Sequence, residues 1–148
     1  MNRPKAKTIL YASGCVILLL LAIQAVPYGK NHSNPPVVKE PPWTNQATRD
    51  LARRACFDCH SNETFWPGYA KIAPVSWLVQ YDVAAGRKEL NFSDWKGTGE
   101  GEQGAKLSNE VRKGEMPPLQ YTLLHPDARL STAEREELVK GLAATAGR

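Results

Sequence analysis

Residues 9–26 form the longest apolar run in the chain, ILYASGCVILLLLAIQAV, with Gln24 as its one strongly polar side chain. As a helix this run is about 27 Å long, close to the roughly 30 Å hydrocarbon core of a bilayer. Beyond it the apolar positions fall into short clusters at helical spacing. Ala47, Leu51, Ala55 and Phe57 follow Thr44 and Asn45, either of which can cap a helix over 46–55 that is free of Gly and Pro. Ser76 is the expected cap of a second helix with Leu78, Tyr81, Val83 and Ala85 partly buried, ending near Gly86 or Leu90. Ala105, Leu107 and Val111 mark the inward side of a third, over about 103–113, with Gly114 as its stop. Ser131-Thr132-Ala133-Glu134 is a capping box that opens a last helix carrying Leu138, Val139 and Leu142. No stretch alternates clearly over more than four residues, so the predicted fold class is all-α. It consists of one N-terminal transmembrane helix followed by a small helical domain with long loops.

The spacing of prolines sets the organisation. Lys30 to Pro42 holds four prolines in 13 residues, a composition that favours an extended spacer at about 3.1 Å per residue. The chain therefore divides into an anchor over 1–29, a Pro-rich linker over 30–42 and a domain over 43–148. His32 is expected to be solvated within that linker. Tyr11 and Tyr28 lie near the ends of the apolar run, where amphipathic rings favour the membrane interface. Arg3, Lys5 and Lys7 precede the run, and only Lys30 follows it closely, which orients the N-terminus to the cytoplasm and the rest outward. A retained anchor is favoured over a cleaved signal peptide, whose apolar core is shorter and ends in a small-residue site. The expected location is the cell inner membrane, single-pass, with the domain in the periplasm or extracytoplasmic space.

Charge sharpens this picture. The formal net charge is +4 and the pI about 9.0, values that alone would suggest an anionic partner. Removing residues 1–26 leaves 16 basic and 15 acidic side chains. The domain is close to neutral, the basic excess belongs to the targeting segment, and no nucleic-acid partner is expected. Gly97-Thr98-Gly99-Glu100-Gly101 is expected to be a loop, because its glycines lack the strand-then-helix setting of a phosphate cradle.

The cysteines carry the chemistry. Cys15 lies within the apolar run, where it acts as a small apolar residue. Cys56 and Cys59 are followed at once by His60 in Cys56-Phe57-Asp58-Cys59-His60. Two cysteines so close cannot staple a fold, and a zinc site with one His is incomplete unless His125 joins. A thiol redox pair calls for a βαβ setting that the pattern lacks. Covalent attachment of haem fits best, with both thiols bound as thioethers and His60 as the adjacent axial ligand. For the sixth position the candidates are Met116, ahead of Pro117-Pro118, and His125 in Leu124-His125-Pro126. Met116 is favoured, because the paired prolines hold the backbone that presents its thioether. The candidate cofactor-binding residues are Cys56, Cys59, His60 and Met116; the iron ligands are His60 and Met116. No catalytic residue is expected.

C-x-x-C-H followed by Met116-Pro117-Pro118 resembles the small class I c-type cytochromes. Further blocks resemble the bacterial haem-binding domain family of membrane-anchored monohaem proteins. They are Ser61-Asn62-Glu63-Thr64 after the motif, Trp66-Pro67-Gly68-Tyr69, Ile72-Ala73-Pro74-Val75-Ser76-Trp77-Leu78, Gly86-Arg87, Leu90-Asn91-Phe92-Ser93, and Tyr121 through His125-Pro126 and Leu130-Ser131. The resemblance covers most of residues 28–143. It implies one covalent haem c and an association with di-haem peroxidase-type domains. The redox partner is unknown, with a di-haem peroxidase or, given the membrane tether, a respiratory complex as the expected kinds. By similarity to c-type cytochromes, Pro74 is a candidate carbonyl acceptor for the His60 ring, and the last helix is expected to pack across the first of the domain. Trp77, Trp95, Tyr69 and Arg87 carry donors that could line the haem edge. The functional expectation is an electron-transfer haem protein rather than an enzyme. The alternative is a haem-based sensor or peroxidase-associated protein with an open or displaceable sixth position.

Overall fold

The computed structural model describes residues 6–96 and 98–146, without the side chains of 98–101, 103 and 104. Arg3 and Lys5, which orient the N-terminus in the sequence reading, lie outside the described residues. The architecture is all-α: α1 (Ala6–Ile23), α2 (Gln46–Ala55), α3 (Phe57–His60), α4 (Val75–Glu89), α5 (Thr98–Lys113), α6 (Leu119–Leu124) and α7 (Thr132–Ala146). Short 3-10 turns occupy Gly68–Lys71 and Pro126–Ala128. The described extended backbone includes a single parallel bridge between Lys39 and Asp94.

The chain forms two compact units, Met1–His32 with Trp66–Tyr81, and Ser33–Phe65 with Asp82–Arg148. In the first, α1 is an apolar helix long enough to cross a membrane and has no buried residue. Gln24, just past its end, donates Nε2 back to the Leu20 carbonyl (2.9 Å) and also engages both backbone groups of one distant residue. Its Nε2 donates to the Ala73 carbonyl (2.9 Å), and its Oε1 accepts from the Ala73 N–H (3.0 Å). His32 is not a free linker side chain. Its ring stacks on Trp66 at 4.6 Å, and its Nε2 lies 3.0 Å from the Ala70 carbonyl.

The second unit holds the main core. Asn45 is the cap of α2, its side chain accepting from the Thr48 N–H at 2.7 Å. The buried face of α2 is Thr48, Leu51, Ala52 and Ala55, rotated from the expected stripe so that Ala47 is exposed. The capping box of α7 forms as the sequence predicts. The Ser131 N–H donates to Glu134 Oε2 (2.8 Å), and the Glu134 N–H donates to Ser131 Oγ (3.3 Å). Helix α7 packs on α2, but its more extensive partner is α5, and Leu107, Val111, Leu138 and Leu142 belong to the same buried core. Gly141 permits the α2 crossing: a Cβ there would lie 2.1 Å from Thr48 Oγ1. Trp43, Phe57 and Phe92 fill the other side of this core, with ring centroids 5.1–6.2 Å apart.

Several expectations are corrected. Ser76 does not cap α4; it is buried one residue inside the helix, which starts at Val75. Leu78 and Tyr81 are exposed at 47% and 64%, while Val83 is buried. Helix α5 begins at Thr98, so residues 98–101 are helical and not a loop, and Ala105 faces solvent. The Pro-rich stretch is extended but does not run free as a stalk, because residues 33–42 pack within the second unit. Val38 and Lys39 donate their N–H groups to the Ser93 carbonyl, and Asn62 donates to the Pro36 carbonyl. Glu40 takes Arg49 bidentately at 2.7 and 2.6 Å and accepts from Trp43 Nε1. Backbone groups that prolines leave without local partners find them in the adjacent loop.

Candidate functional site

Cys56 closes α2, its N–H donating to the Ala52 carbonyl at 2.8 Å, and starts the single turn of α3. The Cys59 and His60 N–H groups both return to the Cys56 carbonyl, at 3.1 and 2.9 Å. Residues three and four apart on one helical turn share a side. This spacing therefore sends both thiols and the imidazole the same way, into a cavity of about 320 Å³. That volume falls at the lower end of the roughly 300–1,000 Å³ typical of small-molecule sites.

Apolar groups dominate its walls, among them Ala55, Ala85, Leu90, Leu107, Pro117 and Pro118. Met116 lines it together with Cys56, Cys59 and His60, and its N–H reaches the Glu110 carbonyl at 3.3 Å after α5 ends at Lys113. His125 is not part of the lining. It stacks on Tyr121, which is, with ring centroids 4.1 Å apart.

His60 is oriented by backbone. Its Nδ1 lies 3.1 Å from the Leu90 carbonyl, which can only accept, so Nδ1 carries the proton and Nε2 carries the lone pair. The His60 carbonyl in turn accepts the Phe92 N–H at 2.8 Å. Pro74 does not serve this role; Leu90, thirty residues after the histidine, does. Burial pushes the His60 pKa down, partly offset by hydrogen bonding to the Leu90 and Gly86 carbonyls. The ring is thereby held neutral, the form that binds a metal ion. Gly86 makes the approach of α4 possible, since a Cβ there would sit 2.4 Å from the Cys59 carbonyl oxygen.

The thiols are in a setting that keeps them protonated. Burial pushes the Cys56 thiol up to about 12, with the neighbouring Cys59 adding to the shift. Cys59 is also pushed up to about 12, by burial and then by the charges of Asp82 and Asp58. A redox pair or a thiolate metal site needs the opposite, a lowered thiol pKa. Among the described residues, no three His, Cys, Asp or Glu side chains form a group that could hold a metal ion. The donor set fits a macrocycle held by two sulfurs and one neutral imidazole better than a bare ion. The rim is acidic, with Asp58, Asp82, Glu89 and Glu110 against Lys106, which pairs with Glu89 at 3.2 Å.

The aromatic and arginine candidates for the haem edge, Tyr69, Trp77, Arg87 and Trp95, are not among the residues that line the cavity. Trp95 is buried in the core. Arg87 is a clamp, donating to the Ser61 carbonyl, Thr64 Oγ1 and Asn34 Oδ1 at 2.8–2.9 Å. Residues that sequence reasoning missed are Leu90, whose contribution is a carbonyl and leaves no side-chain signal, and Asp58 with Tyr121. Asp58 accepts the Tyr121 hydroxyl at 2.7 Å and the Phe65 N–H at 2.8 Å.

An all-helical domain that aims Cys-x-x-Cys-His into an apolar cavity has the architecture of a small haem-binding protein. The chain belongs to the haem-binding domain family, whose sequence model matches residues 18–144. It is also 27% identical over 106 residues to the cytochrome c peroxidase Ccp of Escherichia coli K12, a match that covers 67% of this chain and 23% of that protein. The chain thus spans under a quarter of the length of that relative. No solved structure matches.

Proposed function

We propose that this protein is a membrane-tethered monohaem c-type cytochrome that passes single electrons. Cys56 and Cys59 hold the haem as thioethers, and His60 and Met116 are the axial ligands. When bound, the haem iron supplies one-electron exchange between its ferric and ferrous states. The single observation that carries this reading is that one helical turn brings both thiols and a neutral, backbone-oriented imidazole to an apolar cavity that Met116 also lines. Two protein axial ligands leave no position for a substrate, which favours a carrier over a catalyst, and thioether ligation raises the reduction potential. The apolar walls exclude water from the macrocycle and so steady that potential. Helix α1 is the tether, with the haem domain on the extracytoplasmic side and the redox partner within reach of the membrane.

The second reading is an iron with a displaceable sixth position, in a sensor or beside a peroxidase domain. The likeness to a cytochrome c peroxidase favours it. Optical spectroscopy of wild type and Met116→Ala, made with the c-haem maturation machinery, separates the two. The wild type is expected to show the weak methionine–iron charge-transfer band, and Met116→Ala to lose it. A spectrum unchanged by Met116→Ala overturns the ligand assignment and promotes His125. Rapid binding of carbon monoxide by the reduced wild type supports the second reading.

A further inference from the structure

We propose that residues 66–81 lie in the headgroup region of the bilayer, with Ile72, Val75, Leu78 and Tyr81 against lipid. The inference rests on α1 spanning the membrane and concerns only the first unit. Gln24 follows α1 directly, and α1 at 18 residues is about 27 Å long, roughly the hydrocarbon thickness. The Gln24 amide therefore sits at the boundary between hydrocarbon and headgroups. Because it holds both backbone polar groups of Ala73, at 2.9 and 3.0 Å, Ala73 sits at the same depth. This pairing also meets the requirement that backbone polar groups at that depth be satisfied within the protein.

The side chains around Ala73 suit the same location. Ile72, Val75, Leu78 and Tyr81 are 59%, 40%, 47% and 64% exposed, and the last three fall within an arc of about 120° on α4 at 100° per residue. Leaving these large apolar groups in water is costly, whereas a bilayer surface covers them. Residues 24–32 and 66–81 contain no Asp or Glu, and carry Lys30 and Lys71. They also hold Tyr28, Trp66, Tyr69, Trp77 and Tyr81, five of the nine Trp and Tyr residues in the chain. An acid-free, aromatic-rich, partly basic surface is the composition of a membrane-interface belt. The occupant we assign is lipid, not a protein groove.

The test uses the full haem-loaded chain in nanodiscs containing phosphatidylglycerol, with the photoreactive p-benzoylphenylalanine in place of Leu18, Ile72 or Leu78, one at a time. Lipid adducts are read by mass spectrometry after irradiation. Adducts from all three positions are expected, with loss of those from position 72 in a Val75→Glu/Leu78→Glu background. Adducts from position 18 with none from 72 or 78 overturn the interfacial assignment while leaving the anchor intact. Absence of adducts even from position 18 overturns the spanning reading of α1, and the inference with it.

Discussion

Gly86 shows how much one hydrogen atom in place of a methyl group decides here. A Cβ at this position would meet backbone, the Cys59 carbonyl, and neither segment can yield without moving the turn at Cys56–His60 or α4. Gly86→Ala is expected to cost about 1–3 kcal/mol by overpacking and to lower the haem bound per chain. A thermal melt and a pyridine haemochrome assay check both, and normal values for each would separate the contact from the position of the motif. Tyr121 acts through one hydroxyl, which donates to Asp58 at 2.7 Å beside the cavity. Tyr121→Phe is expected to cost about 1 kcal/mol without loss of covalent haem, as the same melt and assay would record. At this scale Cys56, Cys59, His60 and Met116 stood out as candidates, because each is a side chain of rare type in a telling pattern, and the fold brings all four to one cavity. Leu90 did not stand out, because its carbonyl is common to every residue and acquires a role only through the fold.

Helices α2 and α7 were legible at their ends and less so on their faces. Caps are local: the Asn45 side chain reaches the N–H three residues on, and so does that of Ser131. Ser131→Ala is therefore expected to cost about 1 kcal/mol, measured by denaturant unfolding. Glu134 completes the box and also meets Arg54 of α2 at 2.6 Å. The Ser131 backbone N–H first, then Arg54, hold its carboxyl down at about 2. A lowered carboxylate pKa contributes stability that is present above the unfolded value and lost as pH falls through the folded one. The wild type should thus lose stability between about pH 4.5 and 2 through this group, and Glu134→Gln should flatten that part of the curve in pH-dependent melts. An equally steep curve in the variant would mean that another carboxylate dominates. Faces were harder to read. Leu78 and Tyr81 have the spacing of a buried stripe, but spacing says only that a side is apolar and not what covers it.

For the whole molecule the cavity weighs most. Left empty, its apolar walls, Leu90, Leu107, Pro117 and Pro118 among them, face water. A ligand that binds only the folded state adds to the stability of a domain, typically about 5–15 kcal/mol in total, so Cys56→Ala/Cys59→Ala is expected to be substantially unfolded by circular dichroism. A native-like spectrum in that variant would mean that the helices carry the fold without the haem. The charge pattern belongs to this scale too: the chain carries +4, and without residues 1–26 it holds 16 basic and 15 acidic side chains, so most of the basic excess lies in the N-terminal segment.

What could be read along the chain was what short-range physics controls. A run of apolar residues has the length of a bilayer, a cap bonds an N–H three residues away, and i, i+3 and i+4 positions share one side of a turn. These put Cys56-Phe57-Asp58-Cys59-His60 at the end of a helix and a membrane-length helix at the N-terminus. The rest depends on contacts between residues distant in sequence. Only the folded chain selected the Leu90 carbonyl to orient His60, brought Met116 to the cavity wall while His125 stacked outside it, and tied Ala73 to the end of α1. Such pairings join backbone atoms or side chains dozens of residues apart, and their geometry is set by how whole helices pack, which no local pattern encodes.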